Sequence, residues 1–266
     1  MQASVPKPPF RLLFESADPV VCLSGATDLR FTLERWCLCQ PTTVADDRSW
    51  PSGRVLPMVD GAASLDFLPM MQRRRLSPLA RAAIAVAWDC RGDFRELPAV
   101  FFSRHGESHY YFNMLCDLAE SREISPSRFS LSVHNAVAGL YSLCSDTRAP
   151  CTVLAGGKED FYGAFLEAAG LLLEKSCERV LVVWYEQPLP EVYRSYVHGP
   201  DLTLALGMRL SAPSEAGPQI ELTRMPRLEA PDAECLLQDF CRAIVRGERS
   251  STATNGAPWA WTLTDG

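Results

Sequence analysis

The chain has 266 residues, 47% of them hydrophobic, enough to bury a large core, and one large α/β domain is a simpler reading than two closely joined halves. A formal net charge of −6 excludes a general attraction to nucleic acid or to an anionic membrane, and the one compact basic run is Arg73-Arg74-Arg75. No run approaches the ~18 apolar residues that span a bilayer, and no secretory leader opens the chain, so a cytoplasmic protein is expected.

The elements follow in chain order. Residues 1–28, with Pro6, Pro8 and Pro9, read as an extension preceding a domain over 29–250, and 251–266 as a C-terminal tail. Leu29 to Cys39 alternates as a first strand, and Gln40 to Pro69 reads as a loop-rich connection covering an edge. Ser77-Pro78 marks a helix start, the serine as N-cap and the proline at the first helical position, with Leu79, Ala82, Ala83, Val86 and Ala87 on one apolar face. Pro98 to Ser103 reads as a short buried strand, followed by a turn, a helix from about Tyr110 to Ala119, and another over 135–145. Asp160 to Ser176 reads as a buried central helix whose Gly163, Ala164, Ala168, Ala169 and Gly170 permit close packing. Arg179–Glu186 and Asp201–Leu210 are continuous apolar strands, as expected where both faces are covered. Asp232 to Val245 is a last amphipathic helix, and the PWAWTL run near the end is an apolar segment able to dock on the domain. This order predicts a mixed α/β layered domain without internal repeats.

Ten cysteines include no CxxC pair, and Cys37-x-Cys39 is too isolated for zinc, so reduced thiols and no metal or other cofactor are expected. Ser103-Arg104-His105-Gly106-Glu107 lies just past a buried strand, where α/β folds gather ligands. Neighbouring residues rarely face one another, so a solvated turn explains these residues better than a hydrolytic triad does. At 132–135, Ser132 or Asn135 can cap the following helix, and His134 can order its loop by hydrogen bonds.

Three segments carry a family resemblance: DFLPMMQRRRLSPLARAAIAVAWDC at 66–90, SRHGE at 103–107, and ISPSRFSLSVHNAVAG at 124–139. Together they resemble the short β-ketoacyl synthase N-terminal-like proteins, chain-length-factor-like members of aryl polyene and related polyketide or fatty-acid pathways, over about residues 29–260. The resemblance implies the N-terminal half of the thiolase fold, a layered αβα arrangement on a mixed five-stranded sheet. In such condensing enzymes a turn sets a cysteine at the N-terminus of a long helix, where the helix end lowers the thiol pKa. Here that turn reads Thr152-Val153-Leu154-Ala155-Gly156-Gly157-Lys158-Glu159, with Gly157 at the cysteine's place. Complete synthases add a second half with two catalytic histidines, a region that His105, His109, His134 and His198 do not match.

The resemblance thus implies an accessory protein that does not condense, binding an acyl chain, an acyl carrier protein or a synthase subunit, and forming a homodimer or heterodimer. Asn135, Gly156, Gly157 and Lys158 are its candidate acyl or ligand contacts, and Arg73, Arg74 and Arg75 its candidate carrier-protein contacts. The family's geometry also puts His134 beside the elbow, positioned to polarise a thioester carbonyl or act as a base. The alternative is an acyl-thioester hydrolase or acyltransferase using Ser103, His105, Ser132 or His134. A third reading is a binding protein whose pocket has closed.

Overall fold

The computed structural model describes residues 28–41, 50–120, 122–156, 160–197, 199–224, 236–251 and 259–265. The first strand, β1 (Asp28–Gln40), organises the sheet because it is long enough to serve three neighbours. Its first half pairs antiparallel with β8 (Gln219–Arg224), its second half runs parallel to β2 (Gly53–Val59), and its other edge pairs with β7 (Leu204–Ser211). A register shift between Leu33 and Arg35 bulges this last ladder, and the Glu34 carboxylate meets Arg179 at 2.9 Å and Arg209 at 2.8 Å. Beyond β7 lie β6 (Arg179–Glu186), then β4 (Ala99–Phe102), then β5 (Cys151–Leu154) at the far edge, the last three mutually parallel.

Helices cover both faces. On one, α2 (Pro78–Arg91) packs across β1, β7 and β6, with α5 (Ala136–Ser145) beside it. Ser77 caps α2 as expected, its Oγ accepting from Ala80 N at 2.8 Å. On the other face α6 (Gly163–Leu172) and α7 (Leu236–Arg246) close a second core rich in aromatic side chains. The layered α/β class expected from the element order is therefore present.

Several boundaries differ from the sequence reading. The sheet has nine described strands where five were expected. The stretch 40–69, read as loop, contributes β2 and β3 (Ala62–Ala63), because the long β1 offers them a partner that local composition does not reveal. β8 was not anticipated, and from Trp259 onward the apolar run near the end forms β9 (Trp259–Thr264), antiparallel to β8. Helix α3 (Ser108–Ala119) starts earlier than Tyr110, and residues 126–132 form a helix of their own, α4 (Pro126–Ser132). A four-residue helix α1 (Met70–Arg73) precedes α2.

The helix expected over 160–176 begins as a 3-10 turn at Asp160–Tyr162 and ends at Leu172. It is not enclosed: Ala164, Phe165, Ala168, Ala169 and Leu172 are buried, but Leu166 is 46% exposed, so its small residues fit one face against the sheet and leave the other open. Residues 1–27 of the extension, residues 252–258 of the tail and Asp232 lie outside the described residues. Among the described residues, no helix is long and apolar enough to cross a membrane.

Candidate functional site

Strands β4, β5 and β6 run parallel and end together, so the segments leaving their C-terminal ends meet in space. The register pairs Phe102 with both Leu154 and Trp184, which sets the turn 103–107 between the elbow after β5 and the end of β6. After Leu154 the exposed Ala155 and half-buried Gly156 lead into the elbow, whose Gly157 and Lys158 lie outside the described residues. The chain resumes in the 3-10 turn, where the Trp184 indole donates to the Phe161 carbonyl at 3.0 Å. Phe102, Phe161, Trp184, Leu236 and Leu237 form the apolar walls of a small cavity of about 40 Å³, and Arg104, His105 and Glu186 supply its polar side.

The turn is tightly specified. The buried Ser103 hydroxyl accepts from Gly106 N at 2.8 Å. Gly106 has φ +51°, and a Cβ there would meet the His134 ring at 3.1 Å, so glycine is required twice over. His134 Nε2 donates to the Ser103 carbonyl at 2.8 Å, the loop-ordering role read from the sequence. Glu186 is buried at the end of β6 and receives hydrogen bonds from Arg104 N and the Ser103 hydroxyl. Burial nevertheless pushes its carboxyl up to about 7. Glu107 is 3% exposed and is likewise pushed up to about 7 by burial, against a 2.5 Å hydrogen bond donated by Ser77. Desolvation, then the charges of Arg104 and His134, lowers the His105 imidazole to about 4.

The sequence candidates come together only in part. His105, Ser132 and His134 border one hollow together with Glu107, Ser108 and Tyr111. No serine there is hydrogen-bonded to a histidine ring: Ser132 donates to the Phe129 carbonyl at 2.8 Å, and His134 meets the Ser103 carbonyl rather than its hydroxyl. Neither Ser132 nor Asn135 caps α5, since Asn135 makes no side-chain cap bond and Ser132 is spent within α4. Arg73 is paired with Asp66 at 2.8 Å, while Arg74 and Arg75 are exposed, and all three stand apart from these hollows. Sequence reasoning passed over Glu186, Gln187 and Trp184. Their signal was a Glu-Gln pair ending a continuous apolar strand, directly before Pro188.

A raised carboxyl pKa has a defined effect on stability. An unfolded glutamate ionises near 4.5, whereas folded Glu186 holds its proton to about 7, so rising pH favours the unfolded chain between those values. Glu186→Gln should flatten that decline and leave the variant more stable than wild type above pH 7 in denaturant titrations. An unchanged pH profile would mean that Glu186 does not titrate as a buried carboxyl.

Comparison with known proteins places this architecture. The family model "Beta-ketoacyl synthase, N-terminal domain" matches residues 47–262. Among solved structures, the chain is similar to the complex of the ketosynthase ApeO with its chain length factor ApeC from Xenorhabdus doucetiae, at 22% identity over 88% of this chain and 99% of that one, with a TM-score of 0.70. It is also similar to the ishigamide ketosynthase/chain length factor, at 15% identity over 73% of this chain and 67% of that one, with a TM-score of 0.55. No curated protein matches. The fold is that of ketosynthases, and with a family match across most of its length the chain belongs to the β-ketoacyl synthase N-terminal domain family.

Proposed function

We propose that this chain is a non-condensing ketosynthase-like subunit of polyketide or fatty-acid-type biosynthesis, of the aryl polyene kind, that binds acyl groups or their carrier protein and pairs with a synthase subunit. The observation that carries this reading is an apolar cavity bordered by Phe161, where the chain resumes after the elbow, with no thiol among its described lining residues. Among the described residues none of the side chains bordering it is cysteine, and glycine stands at position 157. Elsewhere burial raises the pKa of Cys37, Cys39 and Cys90, so none of these supplies a thiolate at neutral pH.

Pairing is supported by the sheet edge. Among the described residues β5 has a partner on one side only, and the helices before and after it expose Leu143 (77%) and Leu166 (46%). An open edge with apolar flanks suits addition of a strand from another subunit. Both solved structures that the chain resembles contain a ketosynthase with a chain length factor, in keeping with a synthase partner. The exposed Arg74 and Arg75, beside exposed Met70 and Met71, suit an acidic carrier protein.

Intact-mass and native mass spectrometry of the chain mixed with an acyl-loaded carrier protein and a pathway ketosynthase test the reading. A noncovalent complex with the synthase and no mass increase on this chain is expected. An acyl adduct, or free acid whose release is lost in His134→Ala, would replace it with an enzyme.

A further inference from the structure

The turn 103–107 separates two spaces, and one ring stands in both. His105 borders the small apolar cavity walled by Phe161 and Trp184, and with Glu107, Ser108 and His134 it borders an outer hollow of about 390 Å³. A buried carboxyl holds each end of the turn. At its start Glu186, from the end of β6, accepts from Arg104 N and from the Ser103 hydroxyl, which in turn accepts from Gly106 N. At its end Glu107 accepts from the Ser77 hydroxyl, and Ser77 is fixed to α2 by Ala80 N. Gly106 lies between the two anchors at φ +51°, the one residue of the turn in the left-handed region.

The closed turn leaves polar groups short of water. His105 Nε2 and the Ser108 hydroxyl are buried without a partner among the described residues, a costly state, and both residues border the outer hollow. Desolvation pushes Glu186 and Glu107 up to about 7, outweighing the hydrogen bonds that favour their ionised forms. Arg104 lies beside Glu186 and favours its ionisation, Tyr185 of β6 lies near both carboxyls, and Arg104 and His134 both act on His105. Around Glu107, α2 presents the Ser77 hydroxyl and α3 presents His109, while α7 brings only Leu236 and Leu237 to the cavity beside Glu186. In an open turn both carboxyls would meet water and ionise near 4.5. The advantage of the closed turn is therefore complete below pH 4.5 and is lost as pH rises through about 7. One such carboxyl changes the closed-to-open ratio by at most about 300-fold. The adjoining spaces let water reach both carboxyls without dismantling the sheet.

We propose that the turn 103–107 is a latch released by loss of protons: ionisation of Glu186 and Glu107 admits water from the two adjoining spaces, swings the turn about Gly106 and exposes His105. The latch rests on the turn and its two carboxyls and not on the binding role proposed above.

Carbethoxylation of the full chain with diethyl pyrocarbonate, located by peptide mass spectrometry, tests the latch. The reagent attacks neutral imidazole, and His105, lowered to about 4, stays neutral between about pH 6 and about pH 8.5. A change in its labelling over that range therefore reports access and not ionisation. Relative to a free histidine derivative corrected for its own ionisation, the His105 rate should rise about tenfold in wild type and stay flat when Glu186→Gln and Glu107→Gln are combined. Should the double variant fail to fold, either single variant takes its place and should lose part of the rise. Cys37, fully buried beneath α2, should resist iodoacetamide at both ends of the range. A flat wild-type profile, an undiminished rise in a folded variant, or His105 labelling that appears only together with Cys37 alkylation would overturn the proposal, the last by assigning the exposure to global unfolding.

Discussion

Trp184→Ala should cost about 3–5 kcal/mol of folding stability, the range for deleting a large aromatic side chain from a packed core. The indole is fully buried in β6, its ring centroid 4.8 Å from that of Phe165 and 5.2 Å from that of Phe161. Removing it opens a void between the sheet and the start of α6 and also leaves the Phe161 carbonyl without its donor. The same ring walls the elbow cavity, so one substitution would loosen both the core and the site. Against a native stability of about 5–15 kcal/mol, the urea midpoint should fall sharply while the slope stays constant. Trp184→Phe keeps most of the apolar contact but not the N–H, and should cost about 1–3 kcal/mol. A loss below about 1 kcal/mol for the alanine variant would show that the ring is not packed as described.

Gly207→Val should be comparably damaging for the opposite reason, overpacking. A Cβ at Gly207 would lie 2.9 Å from the Val86 carbonyl oxygen and 3.1 Å from Cys90 Sγ. The oxygen belongs to the backbone of α2, which lies across β7 and cannot swing away as a side chain can. Overpacking of this kind costs about 1–3 kcal/mol, occasionally more, and the branched side chain should exceed alanine at the same position. In a protein of this size each kcal/mol lowers the melting temperature by about 2–4 °C. Cys90→Ala should restore part of the loss in Gly207→Ala, because it removes the sulfur but not the carbonyl. If Gly207→Val melts with wild type, α2 does not approach β7 this closely.

What was legible in the sequence follows the range of the interactions involved. Ser77-Pro78, the apolar run Ala99–Phe102 and the run Arg179–Glu186 signal through adjacent residues, and each forms the element expected. β2, β3 and β8 were illegible because a strand at an edge is made by its partner: Gly53 to Pro57 becomes strand only because Trp36 to Gln40 lies alongside. The buried face of α2 could be read from its spacing, whereas the open face of α6 could not, since alanine and glycine suit a crowded face and an exposed one equally.

The site divides along the same line. The family motifs and the glycine at 157 are properties of the sequence alone, because residue identity decides whether a nucleophile exists. The turn 103–107, read from the sequence as a solvated turn, is instead buried at Ser103 and Glu107 and bonded internally: Ser103 holds Gly106, and His134 holds Ser103. Only tertiary structure brought Glu186 and Gln187 to that turn, through the parallel pairing of β4 with β6, and only burial at that junction raised the carboxyls of Glu107 and Glu186. Sequence by itself determined the family, the main helices and central strands, and the glycine at position 157, all carried by residue identity and local pattern. Tertiary structure alone decided which polar groups lose water together and so acquire a shared site, because desolvation and hydrogen bonding depend on neighbours far away in the chain.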